Sequence, residues 1–308
     1  MGTEHFKFFR RGLIALAFSF CISMFLPAQA NAGFSLGDAS HYAVLYEGSG
    51  THNLQINSSP VNGSTILGDI GLGNLSNGFP TAQFNNPAVI NGNINFSSNI
   101  SISANAVING TTNGQVSQVK TDLLNLNALS STLGGEAGSN VAINISNGNT
   151  LTLNASNGIL DGSGNNVFTA TALSFVNGAT LVINGSASQF VVINFNFNTH
   201  FSGVITLTGG ITPDQVLFNM IGGANLTGGD TLQFAANNVS QAGTFLDPNG
   251  VITMNSVNLR GHIFGGDASD MQIVSGGTIV VPEPSSYALV LSALGMLGMA
   301  ARSRAAKK

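Results

Sequence analysis

The chain has 308 residues, a formal net charge of −4 at pH 7 and only 7% charged residues. Residues 33–280 hold just two cations, Lys120 and Arg260, against eleven acidic residues, which gives this part a formal charge of −9. Nucleic-acid binding needs several cations to displace counterions from phosphates, so the composition excludes that class of partner. The same segment is long enough to bury a core of its own.

The first 32 residues have the layout of a secretory signal peptide. Three basic residues precede an apolar segment (12–26), and the small-residue box Ala30-Asn31-Ala32 follows it. We expect signal peptidase to cut between Ala32 and Gly33. The one cysteine, Cys21, lies in the removed segment, so the exported domain has no disulfide or thiol chemistry.

Residues 33–280 form a β-rich domain by sequence pattern, because apolar and polar residues alternate with the period of a strand. In residues 191–198, for example, Ile193, Phe195 and Phe197 fall on one face and asparagines on the other. Ten Asn-Gly pairs predict turns between such strands, since both residue types tolerate positive φ.

A repeat of 18 residues indicates how these strands are arranged. The sequence Ala88-Val89-Ile90-Asn91-Gly92 recurs at residues 106–110, and residues 182–185 resemble it. This length is about one coil of a β-solenoid. The predicted fold class is therefore all-β, an irregular right-handed parallel β-solenoid. Because the repeat is degenerate, an antiparallel β-sandwich is the alternative.

One segment has the period of a helix instead. Its apolar residues recur every three or four positions and end just before Gly134: Val116, Val119, Leu123, Leu126, Leu129 and Leu133. This spacing predicts an amphipathic helix that covers the flank of the solenoid.

Candidate metal ligands are few. Asp230 and Asp267 each follow a Gly-Gly pair, as carboxylates in calcium loops do, and an acidic domain favours a divalent cation. Each arrangement occurs once, and Gly-Gly-Asp is commonly a simple turn. We therefore expect no cofactor, with calcium at these two residues as the alternative.

Patterns for catalysis are also lacking in the sequence. The four histidines of the domain, His41, His52, His200 and His262, have no metal-site spacing and are predicted at the surface or at strand ends. The Gly-X-Ser-X-Gly pattern occurs once, at residues 33–37, directly after the predicted signal peptide and without a predicted strand before it, so we expect no nucleophile elbow. We expect no enzymatic activity. The alternative, a polysaccharide-acting enzyme, requires acidic residues to converge in a cleft with shifted pKa values.

The C-terminus carries a three-part signal. Val281-Pro282-Glu283-Pro284 is followed by 17 uncharged residues (285–301) and by a tail with four basic residues. As a helix the run is about 25 Å long, which just crosses a bilayer core, and the cations keep its end cytoplasmic. The signal therefore predicts a short transmembrane helix with the β-rich domain outside.

This signal resembles the PEP-CTERM sorting signal of exported proteins of Gram-negative bacteria, also called the ice-binding protein C-terminal domain. The resemblance covers residues 282–308. It implies that an exosortase-type membrane protease recognises Pro282, Glu283 and Pro284, then releases the protein or re-anchors it at the cell surface. The precursor would be held in the inner membrane only transiently.

A second resemblance covers most of residues 36–280. The order of the short motifs at 39–45, 66–71, 190–194 and 258–263 is similar to that of ice-binding-type and choice-of-anchor bacterial surface β-solenoids. Ice binding needs a flat face of regularly spaced hydroxyl groups. The triplets Thr150/Thr152, Thr169/Thr171 and Thr206/Thr208 are not one coil apart, so we expect them on ordinary solvent-facing strands, with ice binding as an alternative function.

Three parts are thus expected: a signal peptide (1–32), an extracellular β-rich domain (33–280) and a sorting signal (281–308). The expected protein is a non-enzymatic component of the cell surface or extracellular matrix. Its partners would be exopolysaccharide or other surface proteins.

Replacing Pro282, Glu283 and Pro284 together by alanine tests the sorting signal. In a host with an exosortase, we expect the wild type to lose about the mass of the tail and to reach the surface or medium, whereas the variant keeps its full length. Mass spectrometry of cell fractions measures both. Full-length protein in the inner membrane for both chains would reduce the signal to an ordinary anchor.

Overall fold

The computed structural model describes residues 33–48, 52–57, 63–75, 81–85, 87–221, 231–266 and 270–281. One helix, α1 (Ser117–Gly134), separates two blocks of strands. The predicted helix is confirmed, one residue later at each end.

The first block contains ten short strands after a 3-10 turn at Gly37–His41. They are β1 (Tyr42–Tyr46), β2 (Asn53–Asn57), β3 (Thr65–Leu67), β4 (Asp69–Leu72), β5 (Thr81–Phe84), β6 (Val89–Asn91), β7 (Ile94–Phe96), β8 (Ile102–Ala104), β9 (Val107–Ile108) and β10 (Thr112–Asn113).

The second block contains thirteen strands and two further 3-10 turns, at Ala155–Asn157 and Pro213–Gln215. The strands are β11 (Ser139–Ile145), β12 (Thr150–Asn154), β13 (Ile159–Leu160), β14 (Asn165–Phe175), β15 (Thr180–Asn184), β16 (Phe190–Phe195), β17 (Thr199–Phe201), β18 (Val204–Thr208), β19 (Val216–Met220), β20 (Thr231–Asp247), β21 (Val251–Gly265), β22 (Met271–Val274) and β23 (Thr278–Val280).

Almost every pairing between these strands is parallel and joins one coil to the next, so the fold is the predicted β-solenoid. The described exception is the short antiparallel pair β13 and β14. The antiparallel sandwich is wrong. The 18-residue repeat is confirmed as one coil, because Val89 pairs with Val107 and Ile90 with Ile108.

Each coil contributes one strand to each of three faces. The helix face contains β10, β7, β4, β1, the ends of β21 and β20, β19, β16 and the start of β14. The open face contains β8, β5, β2, β22, the starts of β21 and β20, and β17. The split face has two parts: β9, β6, β3, β23 and the middles of β21 and β20, and a separate sheet of β18, β15 and β12.

The two blocks meet in a coil that is built from both ends of the domain. Strands β22 and β23 supply its open and split faces, and β1 supplies its helix face by pairing with β21 on one side and β4 on the other. His262 on β21 reinforces the junction, since its Nδ1 donates a hydrogen bond to the Tyr42 carbonyl at 2.6 Å. The blocks therefore form one continuous stack.

Phenylalanines from successive coils stack along the core. Phe218 and Phe245 lie 4.6 Å apart between ring centroids with an interplanar angle of 7°, and Phe201 stacks on Phe234 at 5.7 Å. All four side chains are fully buried. The alternating pattern of the sequence thus produces a column of apolar side chains inside the solenoid.

Helix α1 lies along the helix face and buries Val119, Leu123, Leu126 and Leu133. Its 18 residues give a length of about 27 Å, which matches five to six coils at about 4.8 Å each. The helix therefore returns the chain from one end of the stack towards the other, where β11 begins the second block.

The C-terminal half of α1 is held by two buried asparagines that are register partners on β16 and β19. Asn219 Nδ2 donates to the Ser130 carbonyl at 3.0 Å and to Asn194 Oδ1 at 2.8 Å, and Asn194 Nδ2 donates to the Leu133 carbonyl at 2.8 Å. These bonds satisfy carbonyls of the last helical turns, which have few partners within the helix itself.

The glycines of the repeat serve close packing. A Cβ on Gly92 would lie 2.1 Å from the Gly68 carbonyl oxygen, and one on Gly110 would lie 2.1 Å from the Gly92 oxygen. Neither has positive φ, and no described asparagine does. The interpretation of these Asn-Gly pairs as positive-φ turns is therefore wrong, because here glycine lets neighbouring coils approach at a corner.

Gly92→Ala should destabilise the solenoid by about 2 kcal/mol, since the new methyl group collides with backbone that cannot move without separating two coils. Gly162→Ala is the matched control, because its Cβ would meet nothing within 4 Å. Urea unfolding followed by circular dichroism measures both. Equal midpoints for the two variants would contradict the close-packing role.

Asp122 is a buried carboxylate on α1 with only 2% of its surface exposed. Its Oδ1 accepts a hydrogen bond from Gln118 Nε2 at 2.8 Å, whereas its Oδ2 has no partner among the described residues. Burial raises the pKa of this carboxyl above its ordinary 3.8. The folded state thus holds the proton more tightly than the unfolded state, and stability falls as the pH rises from 3.8 through the folded pKa.

Asp122→Asn should therefore stabilise the protein at pH 7 by about 1 kcal/mol. The substitution replaces a buried, charged carboxylate, whose Oδ2 has no partner in the described ranges, by a neutral amide. Below pH 3.8 the wild-type carboxyl is neutral as well, and the difference should shrink towards zero. Urea titrations at pH 7 and pH 3.5 provide the comparison. A variant that is less stable than wild type at pH 7 would show that the charge is stabilising.

Candidate functional site

Most residues singled out from the sequence lie outside the described part of the chain. These are Ala32, Asp230, Asp267, Pro282, Glu283 and Pro284, together with the predicted transmembrane segment 285–301. Gly33, on the other side of the predicted cleavage point, is described. Immediately after it, the Phe34 amide donates to Asn165 Oδ1 at 2.6 Å. The domain is thus bonded to its own solenoid from its second residue onwards.

His262 differs from the sequence-based expectation. It is fully buried within β21 instead of lying at the surface or at a strand end. Its Nε2 lies 3.1 Å from Asp214 Oδ1, while its Nδ1 donates to β1. The surroundings of this histidine give it a structural role.

Acidic residues do not assemble a metal centre in the described ranges, where no group of three or more His, Cys, Asp or Glu side chains lies close enough to hold an ion. Glu47 accepts a hydrogen bond from Asn127 Nδ2 at 2.9 Å. Asp161 closes its own turn by accepting from the amides of Ser163 and Asn165. Both carboxylates have identifiable structural partners.

The open face carries a straight row of polar side chains, which we call the amide row. Strand register aligns one residue from each of seven consecutive strands: Ser103, Gln83, Gln55, Gln272, Thr253, Gln233 and His200. At about 4.8 Å per strand, the row is about 29 Å long. On six of the seven strands, all except β8, the neighbouring residues are buried and point inward, so the side chains of the row project from the same face.

The glutamines of this row are available to a ligand. Gln83, Gln233 and Gln272 make no side-chain hydrogen bond with the described residues and are exposed or partly exposed. Gln55 differs, because its Nε2 donates to Asp270 Oδ2 at 2.6 Å. Each free amide offers two donors and one acceptor. The row can therefore bind a long, uncharged, hydroxyl-rich polymer at several points.

Asparagines elsewhere on the surface bond to one another instead. Asn109 Nδ2 donates to Asn91 Oδ1 and Asn113 Nδ2 to Asn95 Oδ1, both at 2.8 Å and both across 18 residues of sequence. These ladders stabilise adjacent coils, so their side chains are already occupied. The polar surface thus contains asparagines that hold neighbouring coils together and glutamines that are free to bind a ligand.

Two of the three threonine triplets share the small sheet of the split face. Register places Thr152 in line with Val182 and Thr206, and Thr150 in line with Thr180 and Val204. The spacing of the triplets in the sequence does not show this alignment, because the coils differ in length. Asn154 and Asn184, which are hydrogen-bonded across one pair of coils, are 30 residues apart, whereas Asn184 and Thr208 across the next pair are 24 residues apart. The result is a patch on one parallel sheet with threonine as its commonest outward residue.

The chain leaves the solenoid next to the central coil. The Val281 amide donates to the Leu67 carbonyl at 3.1 Å, and Val281 side-chain atoms fill the space beside Gly68. The C-terminal signal therefore begins at a fixed point on the body. None of the helices in the described ranges is both long and apolar enough to cross a membrane.

These features define an exported β-solenoid with a C-terminal sorting signal. A family model described as the PEP-CTERM protein-sorting motif matches residues 280–305, which confirms the first resemblance. The motif indicates export to the cell surface or the extracellular space. No curated protein matches the sequence.

Solved structures of ice-binding proteins resemble the β-rich domain in fold. The DUF3494 domain of ice-binding protein 1 from Shewanella frigidimarina is 14% identical, with 82% of this chain and 98% of that one covered and a TM-score of 0.52. An ice-binding protein from an Antarctic biological consortium is 17% identical over 80% and 90% of the two chains, with a TM-score of 0.49. The Shewanella structure supports the second resemblance at the level of the fold.

Proposed function

We propose that this chain is a non-enzymatic surface or matrix protein whose open face binds exopolysaccharide along the amide row. The observation that carries the proposal is the alignment of free glutamine amides on every second strand of the row, at β5, β22 and β20, about 10 Å apart. A regular row suits a regular polymer, because each repeating unit meets the same kind of donor and acceptor. Many weak hydrogen bonds of about 1 kcal/mol each then add up to useful affinity.

The sorting signal supports a role at the cell surface. Signal peptidase would release the domain from its N-terminal segment, and an exosortase-type protease would act at Pro282, Glu283 and Pro284 after export. The domain then holds extracellular polymer either from the surface or in the matrix. Several acidic side chains of the described ranges, such as Glu47, Asp161 and Asp214, have contacts that hold turns and strands together.

A second candidate function, ice binding, is favoured by the threonine patch of the split face. Thr150, Thr152, Thr180 and Thr206 project from one parallel sheet. The Shewanella frigidimarina structure with a similar fold is that of an ice-binding protein. The two functions use different faces of the solenoid and can be tested by separate variants.

Alanine at Gln83, Gln233 and Gln272 together should weaken binding of exopolysaccharide from the producing cells at least tenfold, because three of its amide contacts are lost. Co-sedimentation measures the affinity. The matched control carries alanine at Thr150, Thr152 and Thr180 and should bind as wild type does. An unchanged affinity of the glutamine variant would refute binding along the amide row.

Ice binding, the second candidate function, is tested by measuring the inhibition of ice growth by the wild type, the glutamine variant and the threonine variant. If the threonine patch binds ice, the threonine variant should lose inhibition while the glutamine variant keeps it. No inhibition by the wild type would exclude ice binding. Thermal unfolding of each variant checks that the fold is intact, as expected for side chains that project from the surface.

A further inference from the structure

The split face contains a groove at the point where its two sheets separate. Strand β18 pairs with β15 but not with β20, whose middle pairs with β21. The groove between them has a volume of about 620 Å³, within the range of small-molecule sites. It lies on a different face from the amide row. The inference drawn from it rests on the proposed function, polysaccharide binding, and names a further site with its own class of ligand.

The groove combines an apolar floor with a polar edge. Ile205, Ile211 and Leu259 line it and are at least 95% buried. On its β20 side, Ser240, Asn258 and Thr278 form one register row, and none makes a side-chain hydrogen bond with the described residues. An aliphatic surface bordered by free hydroxyl and amide groups suits the CH and OH groups of a sugar ring.

Gln241 is the second indication of a ligand. Its side chain lines the groove with 1% of its surface exposed. Nε2 donates to the Gly203 carbonyl across the gap, which fixes the orientation of the amide. Oε1 then has no partner in the described part of the structure. A buried acceptor without a donor is costly, and a ligand hydroxyl group would satisfy it.

Arg260 supplies a positive charge at the groove. It lines the same groove, is exposed and forms no ion pair with the described residues. The carboxylate of Asp214 contacts His262 and forms no ion pair with Arg260. In a domain with eleven acidic residues and two cations, an unpaired guanidinium beside a sugar-sized groove favours a carboxylate ligand, which arginine can bind with two parallel hydrogen bonds.

We infer that the groove between β18 and β20 binds a carboxylated sugar, a uronic acid residue, with Arg260 on the carboxylate and Gln241 Oε1 on a hydroxyl group. The site would let the protein distinguish acidic from neutral polysaccharide.

Titration of the full chain with D-glucuronate and with D-glucose, followed by ¹⁵N chemical shifts, tests the inference. Glucuronate should bind at least tenfold more tightly than glucose, with shifts at Gln241 and Arg260. Arg260→Gln should remove the difference, because it loses the charge, and Arg260→Lys should keep part of it. Lys120→Gln, the matched control, removes the other cation of the domain and should behave as wild type.

Gln241→Met provides a second test that leaves the charge in place, and it should weaken both sugars because the acceptor is lost. Thermal unfolding reports whether this variant is intact. Equal affinity of the wild type for the two sugars, or an Arg260→Gln variant that still prefers glucuronate, overturns the inference.

Discussion

The whole solenoid depends on one coil that neither block of the sequence can complete alone. Strands β22 and β23 end at the corner where the chain would otherwise continue onto the helix face, and β1 occupies that place. Without β1, the ends of β21 and β4 would each expose a row of unpaired backbone groups, which costs free energy and invites aggregation. The buried bond from His262 to the Tyr42 carbonyl fixes this strand at the centre of the stack.

The closing coil also explains why the three faces differ. Helix α1 must return the chain along the stack after β10, so one face is covered by its apolar side. The open face receives no such cover, and its outward residues remain free to carry the amide row. On the split face, β18 does not pair with the middle of β20, and the groove lies between them. The solenoid thus has a covered face, a regular face and an interrupted face.

Local patterns in the sequence predicted the parts of this fold that depend on neighbouring residues. Alternation predicted strands, a three-four period predicted α1, and the repeat at Ala88 and Ala106 predicted a coil. The insertion of β1 between β4 and β21 was not predictable from local patterns, because it joins residues more than 200 positions apart. The threonine patch and amide row were missed since coils of unequal length hide their alignment.

Where the chain leaves the body has a mechanical consequence. Val281 is bonded beside Leu67, so the C-terminal segment starts from the coil at which the two blocks meet and not from either tip. A force applied through Val281 would therefore act on the junction of the two blocks and not on a tip of the stack. It would load coils on both sides of the junction at once instead of peeling the strands from one end.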